Sequence, residues 1–386
     1  MVRTDTDLAV LLFSLAALLV MHAGFALRQG GFVRQQNQAA SLGCVIALFA
    51  VSTIAYVVIG YLFAYGSNVL VPVLVPNAGG RHTLSAFLVL LAFATAVPAI
   101  ISGAIAERAR FWPQLVTAAV IVSVVYPFFE HIIWGRGLYA QHLLASSFGA
   151  EFHDFAGSVV VHVMAGWLAL VAVTLIGPRT NRYTPEGQVQ PMVVSSVPML
   201  VLGSWVLLIA WLAATVLTVE KPQSLGAVVA VNALAGVVGA VFGALIVNGR
   251  NPRMLSSGAL AGLIAVGAGA DIVHPAAALV IGVVAGVLFV YAARLCVSYW
   301  KLDDVVGAWA LHGVAGAWGG IACGIFGHPV LGGAPGVSFI VQLIGTVGGI
   351  GLAIVSGFVI YGLLQRANLL RLPAEKDHGS GGSGRS

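Results

Sequence analysis

Charge is the scarcest ingredient of this 386-residue chain: Lys, Arg, Asp and Glu together make up 8% of it, about a third of what a soluble domain carries. That shortage excludes a large soluble core. Cysteine is also scarce. Cys44, Cys296 and Cys323 lie far apart, in or beside apolar runs, which excludes a disulfide framework or a cysteine metal site and leaves buried core thiols. Basic clusters are missing, because the net charge of +5 is scattered over loops, so no nucleic-acid surface is indicated. The N-terminus, Met1 to Asp7, has no basic n-region, and no small-residue cleavage site follows; the next apolar run reads as a spanning helix, not a removed signal. No His-Glu-x-x-His pattern is present, and no nucleophile stands beside the two histidines singled out below. No enzyme, metal or cofactor is therefore expected.

What is present is apolar sequence, 59% of the chain, and glycine, 48 residues. Glycine suits closely packed membrane helices; Gly316, Gly320 and Gly324, at four-residue spacing, share one helix face. A spanning helix takes about 20 apolar residues. Eleven segments qualify, at about 8–26, 39–64, 84–106, 113–134, 155–178, 191–219, 224–248, 256–271, 275–294, 306–327 and 338–364. The eighth and ninth are separated only by the short stretch Asp271-Ile-Val-His274.

Basic residues orient this arrangement. Arg28, Arg34, Arg108, Arg110, Arg179, Arg182, Arg250, Arg253, Arg294 and Lys301 fall in alternate loops, with Arg366, Arg371 and Lys376 in the tail. Only Arg3, Arg81, Arg136 and Lys221 fall opposite. The N-terminus is thus expected outside and the C-terminus in the cytoplasm.

Two histidines interrupt membrane-length apolar runs, and their surroundings repeat. Asp154 and His162 return 150 positions later as Asp304 and His312, and Ala165, Gly166 and Gly177 return as Ala315, Gly316 and Gly327. An ionisable residue inside a bilayer costs about 2.5 kcal/mol or more when charged, so a matched pair points to a pathway. His162 lies in the fifth span and His312 in the tenth, so the second half enters upside down, an inverted repeat with its site near the midplane. Eight residues separate each Asp from its His, about 12 Å of helix, so the imidazoles are expected to meet there.

Several longer motifs carry a family resemblance. GFALRQGGFVRQQN (24–37), FATAVPAIISGAIAERARF (93–111), DFAGSVVVHVMAG (154–166), NPRMLSSGALAGLIA (251–265) and LHGVAGAWGGIACGIFG (311–327) follow one another in the order and spacing of the Amt/Mep/Rh ammonium transporter superfamily. The chain resembles that family over nearly its whole length. The resemblance implies an all-α polytopic membrane protein of eleven transmembrane helices, an inverted five-helix repeat (spans 1–5 and 6–10) plus a long eleventh helix, assembled as a homotrimer in the plasma or inner membrane. It also implies residues 1–371 as one ammonium transporter-like domain, with repeat halves at about 8–178 and 191–327. Residues 372–386 read as a truncated cytoplasmic tail ending in a Gly/Ser linker.

By the same resemblance His162 and His312 are the twin pore histidines, Phe93 and Trp134 belong to the outer gate and vestibule, and Asp154 lies beneath the recruitment site. The sixth span departs from the family pattern Trp-x-Gly-Trp-Phe-Gly-Phe-Asn-x-Gly-Ser. Here Trp205 opens the register, Trp211 takes the place of the gate phenylalanine, and Thr215 that of the recruiting serine. The family's Asp-Asp-x-x-Asp is cut to Asp303-Asp304, with Gly307 at the third position. Plainer roles stand beside these: an interfacial belt for Trp134, a core or lipid-facing place for Trp211, a bond back to its own helix for Thr215, and an N-cap for Asp154. Asp303, Asp304 and His22 read as structural, and Glu130 and His131 as solvated end-of-helix residues.

Ammonium differs from potassium in that it can leave a proton behind. An outer aromatic cage would hold the ion by cation–π contact, neutral ammonia would cross the apolar section, and two neutral imidazoles could bond it and relay the proton. Ammonium transport is the leading expectation. The rival is an ammonium sensor, the same scaffold coupled through its C-terminus to a signalling module or to a P-II-type cytoplasmic regulator.

Overall fold

In this computed structural model the described residues are 5–67, 84–219 and 223–373. Arg3, Arg81, Lys221, Lys376 and the Gly/Ser stretch from Gly379 lie outside them. Every long element is helical, and among the described residues no strand forms beyond two isolated bridges. Apolar runs that cannot bond their backbone to water must close it internally, and a helix does so within one segment.

Ten helices are long and apolar enough to cross a membrane among the described residues. In chain order they are α1 (Asp5–Phe32), α2 (Gln35–Tyr65), α3 (Leu84–Ala104), α4 (Phe111–Ile133), α5 (Ser158–Ile176), α6 (Val197–Leu217) and α7 (Gln223–Asn248), then α9 (Pro275–Tyr299), α10 (Trp309–Phe326) and α11 (Phe339–Arg366). Between α7 and α9 runs α8 (Pro252–Val266), 15 residues long, shorter than the spanning helices and buried from Ser256 onwards. Asn251 caps it, its side chain accepting from Arg253 N–H. The short helix Ala140–Phe148 packs outside this set.

Two helices bury charged residues that the sequence places in loops or at helix ends. α1 continues to Phe32, so Arg28, counted above as a loop residue, lies inside the helix and is buried. Its neighbours Phe25, Gln29 and Phe32 share its face at helical spacing, which is why the helix continues. α4 ends at Ile133, and Glu130 on it is fully buried, not solvated. Both Glu130 carboxylate oxygens accept from Tyr56 Oη, at 2.8 and 2.9 Å, and Oε1 also accepts from Tyr65 Oη at 3.0 Å. A buried carboxyl stays in the bilayer only with such partners.

The three cysteines are buried and free. Gly316 meets α5, and Gly320 and Gly324 meet α11 at Thr346 and Gln342, so one small-residue face of α10 admits two neighbours. At the end of the fold where α3 and α5 finish, Asp303 is paired with Arg179 at 2.8 Å and Arg182 at 3.2 Å. Arg179 reaches Glu107 as well, at 3.2 Å. The chain after α11 returns to this network. Leu372 N–H donates to Arg108 O, and Arg110 N–H donates to Leu370 O.

Candidate functional site

The two repeated segments fold alike. Gly157 has φ +83° and Gly307, 150 positions later, φ +72°, a conformation that glycine adopts without a Cβ penalty. Each glycine follows a bend and starts a helix whose first turns are π-wound, Ser158–Val163 and Trp309–Val314. His162 and His312 lie inside these wide turns, a local geometry common at functional sites. Each turn is capped from upstream. Asp154 Oδ2 accepts from Val159 N–H at 2.9 Å and Val160 N–H at 2.7 Å, and Asp304 Oδ2 accepts from Trp309 N–H at 2.8 Å. Burial pushes both carboxyls above the ordinary range, against the N–H bonds that lower them. Asp154 thus does cap its turn.

Glycines then bring the turns together. A Cβ on Gly166 would strike the Gly313 backbone, and one on Gly316 would strike the Ser158 carbonyl. With those side chains absent, α5 and α10 cross almost backbone to backbone. The imidazoles meet at the crossing, Nδ1 to Nδ1 at 3.0 Å. A neutral imidazole has one N–H, so one ring donates and the other accepts, and their two Nε2 atoms must differ in character. His162 Nε2 is buried with no partner among the described residues.

Aromatic rings continue the line from the histidines. Trp211 lies 4.4 Å from His162 and 5.3 Å from Phe93, ring centre to centre, and Phe93 lies 5.9 Å from Trp134. Trp211 is buried in this column and not turned to lipid. Trp134 is fixed by its Nε1–H bond to Asp154 O at 2.8 Å, so the same aspartate segment that caps the His162 turn also holds the outermost ring.

Space lies on both sides of the column. At the Trp134 end, outward on the orientation expected from the sequence, a recess of ≈ 160 Å³ is lined by Tyr65, Phe93, Trp134, Phe155, Leu217 and Thr218. Thr215 is not in that lining; its hydroxyl donates to Trp211 O at 2.9 Å, back along its own helix. Thr218, one turn on, does line it, and its hydroxyl also donates back along the helix, to Thr215 O at 2.5 Å. Beyond Trp211 a chamber of ≈ 30 Å³ is bounded by His162, His312, Arg28 and Val306 among others, room for about one or two water-sized molecules. Val306 also lines a further vestibule of ≈ 310 Å³, with Arg179, Arg182, Arg253 and Asp304.

Two buried groups went unrecognised in the sequence. Arg28 lines the inner chamber; the helical continuation through Phe25, Arg28, Gln29 and Phe32 was the available signal. Glu130 stands behind Tyr65 of the outer recess; its tyrosine partners are 65 and 74 residues away, and no local pattern links them. His22 is buried, its Nδ1 3.1 Å from Leu18 O, and His131 Nδ1 sits 2.7 Å from Ala64 O.

Residues 9–380 match the Ammonium Transporter Family. The chain is 32% identical to ammonium transporter Amt2 of Archaeoglobus fulgidus, over 93% of this chain and 82% of that one. It is 29% identical to Amt1 of Methanocaldococcus jannaschii, over 96% and 93%. Among solved structures, a sensor Amt protein superimposes with a TM-score of 0.86 at 27% identity, covering 96% of each chain. Mep2 of Candida albicans superimposes with a TM-score of 0.81 at 22% identity, covering 96% and 87%.

Proposed function

The chain belongs to the ammonium transporter family, a family of multi-pass membrane transporters and not of enzymes, and on that premise we propose how it handles ammonium. The ion is recruited in the outer recess against Trp134 and Phe93, where aromatic faces and the Thr218 hydroxyl replace part of its water. It leaves its proton near Asp154, Trp211 and Phe93 part, and neutral ammonia passes to the histidine pair. His162 and His312 hold it by hydrogen bonds and relay the proton. Trp211, stacked on Phe93 and tilted against His162, keeps the resting path shut and throughput low.

The observation that carries this reading is the buried imidazole pair at 3.0 Å in line with three aromatic rings. Its test is ammonium-evoked current and lumenal pH change in proteoliposomes holding the full chain. Ammonium is expected to evoke a response that potassium does not; an equal response to both contradicts it.

The eleven-helix count and the inverted repeat belong to this proposal. With α8 as the eighth span, the two halves are supported by the matched positive-φ glycines, aspartate caps and π turns. Homotrimer assembly, an outside N-terminus, a cytoplasmic C-terminus and a plasma or inner membrane setting complete it.

A sensor reading is favoured by one specific route. Arg371 and Leu372 bond to Ile176 and Arg108, and Arg108 donates to Asp303 O beside the Asp304 cap of the His312 turn. Movement at His312 would reach the tail through those bonds, and a signalling module or P-II-type regulator would read it there. A kinase or cyclase domain following the tail in the full open reading frame, with ammonium-dependent activity, would decide for it.

A further inference from the structure

Arg28 is the only charged side chain lining the inner chamber among the described residues. Its guanidinium is held by neutral groups. It donates to Ser204 Oγ at 2.6 Å, Ser257 Oγ at 2.9 Å and Val306 O at 3.3 Å, and lies 4.9 Å from the Phe32 ring centre. Among the described residues no carboxylate forms an ion pair with it. Asp304 acts on it only through its field, with Oδ2 committed to Trp309 N–H. The anchors come from α6, α8 and the segment before α10, so the charge cannot swing out of the chamber.

Arginine keeps its proton in proteins, and a full charge is retained at such depth only for a purpose. Arg28 shares the chamber with His312. At an effective dielectric of about 20, a second positive charge roughly 7–10 Å away is disfavoured by a factor of roughly ten to a hundred. Neutral ammonia feels no such penalty. Val306, whose carbonyl Arg28 holds, is also the residue shared by chamber and vestibule. Arg28 therefore stands at the only step where the two spaces adjoin among those described.

We propose that Arg28 is an electrostatic seal: it admits neutral ammonia to the histidine chamber and holds back net positive charge, as ammonium ion or relayed proton, so that only a small part of it leaves inward. This rests on the ammonium reading above. The wild-type protein then carries only a small ammonium-evoked current, and the selectivity against cations is set inside the pathway as well as at its mouth.

The test compares wild type, Arg28→Met, Arg28→Lys and Ser257→Asp in proteoliposomes. Met keeps the approximate size and removes the charge, Lys keeps the charge, and the new aspartate at 257 neutralises Arg28 in place. Arg28→Met and Ser257→Asp are expected to raise ammonium-evoked current at least about tenfold, while Arg28→Lys stays near wild type. Ser257→Asp keeps the test decisive if Arg28→Met fails to fold. Equal currents in all four, with ammonium still shifting thermal stability, would overturn the seal alone. A rise in Arg28→Lys equal to that in Arg28→Met would overturn the charge and leave a steric plug. Absence of any ammonium-dependent shift or current in all four would overturn the ammonium reading and the seal with it.

Discussion

The turn that carries His162 and the turn that carries His312 share a backbone but face different chemistry. Both follow a positive-φ glycine, both are capped by an aspartate, and both are wound wide enough to present an imidazole at the helix crossing. The His162 side looks onto rings: Trp211, Phe93 and Trp134. The His312 side looks onto a guanidinium and then a vestibule with further arginines. The two turns thus share one geometry in different surroundings, and on the proposed reading one face welcomes a cation while the other repels it.

The largest effect that separates the two ends is on stability. Asp303 binds two arginines with 1% of its side chain exposed, whereas the His153–Asp271 pair is 31% and 13% exposed. Removing one partner of a buried pair strands the other charge, so Asp303→Asn should cost about 3–5 kcal/mol. Asp271→Asn should cost at most about 1 kcal/mol. Denaturation in detergent measures both; equal losses would erase the contrast.

Next come the gate rings. Trp211→Phe removes part of the plug between recess and chamber, and ammonium flux should rise several-fold. Trp134→Leu should weaken the ammonium dependence by removing about 0.5–2 kcal/mol of cation–π attraction. Concentration series of flux for both variants would show whether ring size or ring presence matters. Unchanged flux in Trp211→Phe would mean that the column is not the gate.

The caps should differ less. Asp154→Ala and Asp304→Ala each remove a cap valued at about 0.5–2 kcal/mol. Asp154 serves two N–H donors and Asp304 one, so the first loss should be larger in thermal unfolding.

The smallest effect is a difference in pH response. Burial pushes the Asp303 carboxyl up, but the Arg179 hydrogen bond and charge outweigh it and hold the group far below its usual range. Its contribution is complete above its unfolded pKa of about 3.9 and is lost as pH falls through the folded value. For His153 burial acts downwards, and the Asp271 hydrogen bond and charge outweigh it, so its pKa is raised. That contribution is complete below about 6.5 and disappears as pH rises through the folded value. Between about pH 6 and pH 9 wild type should therefore lose its small thermal advantage over Asp271→Asn; a constant gap would contradict the pairing.

Much of this was legible in the chain because the repeat is short-range. Asp, Gly and His recur at fixed offsets, and the cap, turn and imidazole follow from those offsets locally. Gly157 and Gly307 were available as a matched pair too. Burial by distant segments was not legible. Glu130 looked like a helix-end residue until tyrosines from α2 closed over it, and Arg28 looked like loop charge because its anchors, Ser204, Ser257 and Val306, lie far along the sequence. Thr215 was placed by register with the family pattern, but its helix carries Thr218 to the recess instead.

The central claim is that the imidazole pair handles the ammonium proton. It is tested most directly by ammonium-evoked current in vesicles holding equal amounts of wild type, His162→Leu or His312→Leu, with potassium as the control ion. Wild type should give a small current specific to ammonium, and each variant should lose it by about a hundredfold or more, the low end of a proton-transfer contribution, while remaining folded. Undiminished, ammonium-specific current in both variants would contradict the account.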